Sequence, residues 1–155
     1  MPAGPHKVLV VAEDMKDFED ELEVGLGQRT RMLVRMNPSE RGVHRALPEE
    51  RPMALQVMGS DTPVMAEAAR ICEGLGADVV DVNMGCPVKK VVNRGGGAAL
   101  LRDPRRAAEI VAAMARAVRI PVTAKIRAGW EDGCLSGPEV ARALEQGGVS
   151  AIAVH

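Results

Sequence analysis

Residues 81–90 read DVNMGCPVKK. An apolar run stops at Asn83, Gly85 frees the backbone, Cys86 follows, Pro87 closes the turn, and Lys89 and Lys90 come next. A thiol, with an unperturbed pKa of about 8.5, stays mostly protonated near neutrality yet can release its proton, which suits it to general acid work. Gly85 and Pro87 let the chain turn sharply and aim the sulfur outward; the plainer reading is a small buried hydrophobe. Asn83 shares a strand side with Asp81 and can offer its amide to a ligand edge, or can serve only as a turn former. Lys89, Lys90 and Arg94 form the densest basic cluster beside the thiol. "RGGG" (94–97) supplies mobile backbone able to approach a phosphate, although a charged loop is often merely solvated. Lys125 ends a second apolar run, where an unpaired ammonium is costly to bury. It therefore needs a partner, either a ligand or the carboxylate of Asp81 or Asp132. Arg127 adds to the basic rim or pairs with Glu131.

Short apolar runs alternating with helical patterns must position these groups. "MALQVMG" (53–59), "ADVVDVNMG" (77–85), "IPVTAKIRAG" (120–129) and "VSAIAVH" (149–155) read as strands. Between them "DTPVMAEAARICEGLG" (61–76) reads as a helix capped by Asp61 or Thr62, with Pro63 in its first turn and Gly76 as its stop. "DPRRAAEIVAAMARAVR" (103–119), capped by Asp103 ahead of Pro104, and "SGPEVARALEQGG" (136–148) read as two more. Strands apolar almost throughout, each followed by a helix, predict an α/β protein whose parallel sheet is buried on both faces, as a barrel or a doubly wound sheet. Functional groups of such folds gather at the carboxyl ends of the strands. Here those ends carry Gln56, Asn83, Cys86, Lys125, Arg127 and His155.

Composition narrows the partners. With 20 basic and 21 acidic residues, contact with a polyanion must come from local clustering rather than bulk charge. One Phe, one Trp and no Tyr exclude RNA binding by a platform of stacked aromatics. Three Cys without ligand spacing fit neither a disulfide framework nor a metal site, and predict a reducing, cytoplasmic setting. Cys72 reads as core and Cys134 as an incidental loop thiol. The apolar run of "MPAGPHKVLVVAEDM" is too short for a signal peptide or a membrane span. Within the first 50 residues "KVLVVAED" (7–14) reads as a strand, and Met15, Phe18, Leu22 and Leu26 recur at helical spacing. The acids between Glu13 and Glu23 read as the wet face of that helix, "QRTRMLVRMNPSERGVHRALPEERP" as a basic, turn-rich stretch, and His6 and His44 as surface residues.

The block "DVNMGCPVKKVVNRGGGAALLRDP" (81–104), followed by "VTAKIRAGW" (122–130) and "AIAVH" (151–155), resembles the tRNA-dihydrouridine synthases, flavin enzymes that reduce particular uridines in tRNA. The likeness runs from about Arg29 to His155, with "ALQVMGSDTP" (54–63) as a further match. It implies a partial (β/α)8 TIM barrel, the front half of such an enzyme. Residues 1–50 would be an atypical segment replacing the first flavin loop, with "VLVVAEDM" a partial substitute, and 51–155 a partial FMN-binding catalytic domain. The second half of the barrel and a helical tRNA-binding domain would be absent.

The resemblance also implies the chemistry. Reduced FMN gives a hydride to C6 of uracil, Cys86 gives a proton to C5, and NADPH is the electron donor. Gln56 and His155 match residues at the flavin, and Lys125 matches one near its N1/C2 region. Asn83 would hold the uracil edge, while Lys89, Lys90, Arg94 and Arg127 would steady tRNA as the target uridine turns outward. Two other readings stand beside this one: an FMN barrel acting on a free pyrimidine, and a non-catalytic remnant with weak RNA or flavin binding. A (β/α)8 barrel takes about 200 to 250 residues to close. An open half exposes strand edges and an apolar sheet face, which predicts a homodimer, a complementing fragment or poor solubility.

Overall fold

Alternation along the strands decides the architecture, because successive side chains of a strand point to opposite faces. In a computed structural model the described residues are 51–131 and 133–155, preceded by three strands, β1 (Lys7–Val10), β2 (Asp20–Glu23) and β3 (Arg31–Val34). The chain then runs β4 (Ala54–Met58), α1 (Thr62–Gly74), β5 (Val79–Met84), a single turn α2 (Lys89–Val92), a 3-10 helix (Gly97–Arg102), α3 (Pro104–Ala117), β6 (Val122–Ile126), α4 (Gly137–Gln146) and β7 (Ala151–Val154). Strands β4, β5, β6 and β7 lie in that order and are parallel, while β3 adds antiparallel to β4 at the other edge. The predicted βα alternation is therefore the observed one.

Leu55, Val57, Val80, Val82, Met84, Val122, Ala124 and Ile126 point to one face and are buried there. Against them pack Met65, Ala68, Ala69 and Cys72 of α1, Ala107, Ile110, Val111 and Met114 of α3, and Val140 and Leu144 of α4. Each of these helices shows the apolar stripe that a sheet-facing helix needs. The caps follow local chemistry. Asp61 Oδ1 accepts from the Val64 N–H at 3.0 Å and Asp103 Oδ1 from the Arg106 N–H at 2.9 Å, each just ahead of a Pro. Gly76, at φ 89, follows the last turn of α1 as its predicted stop.

Several expectations are corrected. The stretch beginning at Met15 is not helical at Leu22, which lies in β2 and pairs with Val8 of β1. Sparse apolar recurrence at helical spacing is outweighed there by a strand partner. The turn-rich stretch contains β3, centred on its apolar Met-Leu-Val. The connection from β5 to α3, around the RGGG stretch, holds α2 and the 3-10 helix. The sheet face turned away from the helices is not apolar: half-buried Gln56, Asp81, Asn83, Thr123 and Lys125 occupy it on β4, β5 and β6. His6, Met15, Phe18, Leu26, His44 and Asp132 lie outside the described residues. Among the described residues no helix is long and apolar enough to cross a membrane.

The three Cys form no disulfide, and Cys72 is the buried one. Burial pushes its thiol up to about 12, from about 9. The folded state thus holds the neutral thiol more tightly than the unfolded chain does, so this contribution is complete below about pH 9 and is lost as pH rises toward about 12. Urea midpoints measured across that interval should fall with rising pH, and fall less steeply in Cys72→Ala.

Candidate active site

The polar face of the sheet is a hydrogen-bonded cluster set by register. Gln56 stands opposite Asp81, Asp81 opposite Thr123, and Asn83 opposite Lys125. Gln56 Nε2 donates to Asp81 Oδ2 at 2.6 Å and Thr123 Oγ1 to Asp81 Oδ1 at 2.7 Å. Asn83 Nδ2 donates to Gln56 Oε1 at 3.0 Å. The other end of the Asn83 amide closes the following turn: its Oδ1 accepts from the N–H groups of Gly85 and Cys86, both at 3.0 Å. A short polar side chain bonding to the backbone two and three residues on is the usual device of an Asx turn. It leaves Cys86 half-buried at the carboxyl end of β5.

A second set of contacts holds that turn from the side. The Ala98 N–H donates to the Cys86 carbonyl at 2.9 Å, which ties the 3-10 helix to the cysteine. Gly97 sits at φ 58, and a Cβ there would lie 2.6 Å from the Cys86 oxygen and 2.9 Å from Val91 Cγ1. Gly96 is buried against the backbone of Gly59. Ser60 Oγ donates to the Arg94 carbonyl at 2.6 Å, and Arg106 Nη2 donates to the Ser60 carbonyl at 2.9 Å. Gly96 and Gly97 of the RGGG stretch therefore let the chain approach its own backbone.

Lys125 is half-buried, and its ammonium makes no ion pair or hydrogen bond with another described residue. Asp81, one of its two expected partners, instead spends its oxygens on Gln56 and Thr123. Arg127 forms no ion pair with Glu131; its stem runs past Gly85, where a Cβ would lie 3.3 Å from Arg127 Cγ. Lys89 and Lys90 in α2, and Arg94 just after it, are exposed beyond Cys86. His155 is exposed at the same end of the sheet, and its N–H donates to the Ile126 carbonyl at 3.1 Å. Hydrogen bonds thus join Gln56, Asn83 and the Cys86 turn, and strand pairing brings in Lys125. His155 and the basic loop share only the strand ends with them.

Thr123 was missed by sequence reasoning, and Asp81 entered it only as a counter-ion. The signal for both was a polar residue at every second position of an apolar strand, Asp81 with Asn83 and Thr123 with Lys125. Among the described residues no group of three or more His, Cys, Asp or Glu is placed to hold a metal ion.

Residues 29–155 match the family described as dihydrouridine synthase (Dus). The chain belongs to the dihydrouridine synthase family. Its parallel strands and alternating helices are part of the TIM barrel of the dihydrouridine synthases. It is 50% identical over 107 residues to tRNA-dihydrouridine synthase B of Pseudomonas aeruginosa, covering 69% of this chain and 32% of that protein. It is 46% identical over 115 residues to tRNA-dihydrouridine synthase B of Pseudomonas syringae, covering 74% and 34%. A probable tRNA-dihydrouridine synthase of Rhizobium leguminosarum is 44% identical over 105 residues, covering 68% and 33%. The chain spans about a third of the length of these curated relatives.

The dihydrouridine synthase turn depends on Gly97 in a way a mutation can read. Gly97→Ala imposes a left-handed conformation on a residue with a Cβ, which costs about 1–2 kcal/mol. It also drives that Cβ into the Cys86 carbonyl. Denaturant unfolding should show a loss of at least this size.

Proposed function

We propose that this chain is part of the catalytic barrel of an FMN-dependent tRNA-dihydrouridine synthase that reduces uridine to 5,6-dihydrouridine. The observation that carries the reading is the hydrogen-bonded link from Gln56 through Asn83 to the Cys86 turn, with Lys125 opposite Asn83 on the next of three adjacent parallel strands. Each side-chain amide has two N–H groups. Gln56 and Asn83 each spend one on a neighbour and keep one without a described partner. With the Lys125 ammonium they make a donor-rich face, which fits the carbonyl edge of a pyrimidine-2,4-dione, a pattern shared by uracil and the flavin ring. When bound, FMN supplies the hydride for C6 of uracil, with NADPH as the reductant that restores it.

The chain's own residues do the rest. Gln56 and Lys125 would hold the flavin's carbonyl edge, where the lysine ammonium would favour negative charge. His155 adds to that binding from the end of β7. Asn83 orients the uracil. The Cys86 Sγ–H delivers its proton to C5, which completes the balance of one hydride and one proton across the double bond. Lys89, Lys90, Arg94 and Arg127 take the phosphates of tRNA around the extruded uridine.

Residues 51–155 form the catalytic portion in this reading, and 1–50 stand in for the usual first flavin loop. Three thiols without a disulfide suit a cytoplasmic setting. A polypeptide of these 155 residues leaves β7 at a sheet edge with Ala151, Ala153 and Val154 exposed. It should therefore self-associate or take up a complementing segment along that edge. Sedimentation showing a monodisperse monomer without added segments would contradict this.

The function is tested with FMN and tRNA. The chain should retain a visible flavin band after excess FMN is removed, and Lys125→Ala should weaken that retention. Cys86→Ala should keep the flavin while dihydrouridine formation falls by about 10²–10⁴-fold. Undiminished reduction by Cys86→Ala, or turnover of free uracil equal to that of tRNA, would sink the proposal.

A further inference from the structure

We propose that Asp81 is a positioning residue that sets the polarity of a hydrogen-bond chain ending at the backbone of Cys86. The inference rests on the reading of Cys86 as proton donor given above. A side-chain amide can be turned over with little change in shape, so the direction in which Gln56 and Asn83 face must be enforced by something that cannot turn over. A carboxylate only accepts. Asp81 receives the Thr123 hydroxyl on one oxygen and therefore demands an N–H from Gln56 on the other. That places Gln56 Oε1 toward Asn83, which must answer with Nδ2. Asn83 Oδ1 is then turned to the Gly85 and Cys86 N–H groups, where it accepts both.

Each bond in the series fixes the sense of the next, and the two termini agree: an acceptor-only group on β5 at one end, donor-only backbone groups of the turn at the other. Such a chain is stronger than its separate links, because neighbouring dipoles align. The same sense leaves the spare N–H of each amide unspent, so Asp81 also determines that the face offers donors. A carbonyl-edged base matches that face better than one bearing an amino group at the same place. Asp81 touches neither the thiol nor, in this reading, the reacting atoms.

Backbone hydrogen exchange on the full chain tests this without FMN or tRNA, so its outcome is independent of whether the chain reduces uridine. Asp81→Ala removes the anchor and should speed exchange of the Gly85 and Cys86 amides by about tenfold, leaving the Val82 and Ala124 amides in the buried strand centres unchanged. Gln56→Glu sets two carboxylates against each other and should have the same local effect. The double variant Asp81→Asn with Gln56→Glu exchanges the roles of the pair, since an amide at 81 can donate to a carboxylate that still accepts from Asn83. It should restore the protection of Gly85 and Cys86. Protection retained in Asp81→Ala would mean that the turn holds itself. Equal loss at Val82 and Ala124, or no restoration in the double variant, would likewise overturn the proposal.

Discussion

The two-residue period of a strand is the constraint on which this molecule depends. Helices α1, α3 and α4 cover one face of the sheet, so every second residue of β4, β5 and β6 must be apolar. The residues between them are then forced onto the opposite face. Polar groups there remain half-buried and must find partners, because an unpaired donor or acceptor away from water costs about 1–3 kcal/mol. Gln56, Asp81, Asn83 and Thr123 solve this together, and Lys125 is left over. A fold requirement and a ligand requirement are met by the same alternation.

Much of the fold was legible in the sequence because its signals were local. Asp61 and Asp103, each ahead of a Pro, announce two helix starts, and the Val-rich runs between helical patterns announce buried parallel strands. The Cys86 turn was legible for the same reason, since Asn, Gly and Pro have strong backbone preferences. What escaped notice was relational. Nothing within the sequence of β6 says that Thr123 will stand opposite Asp81, because register between strands distant in the chain is fixed only when the helices pack. The alternative of a bridge from Asp81 to Lys125 failed on this point: their strands are neighbours, but Asp81 lies opposite Thr123 and its oxygens are already engaged.

The N-terminal region shows the opposite limit. Leu22 pairs in a hairpin despite an apolar spacing that suits a helix, since a few recurring positions carry little weight against a strand partner. The Gly-rich segment is ambiguous for a different reason. Glycine allows close approach to any backbone, and composition does not distinguish a ligand's phosphate from the chain's own carbonyls. In this fold Gly97 makes room for the Cys86 carbonyl and Gly96 for the turn after β4.

The ties among the loops at the carboxyl ends carry a consequence for how the sequence can change. Ser60 links the loop after β4 to Arg94 and Arg106 beyond β5, and Arg102 lies over the Trp130 ring, 5.1 Å from its centre, joining the loop after β5 to the one after β6. Three consecutive loops are thus indexed to one another. A residue inserted into any of them would displace anchors on its neighbours, so changes of length in this part of the barrel are better absorbed at the amino ends of the strands, away from Cys86.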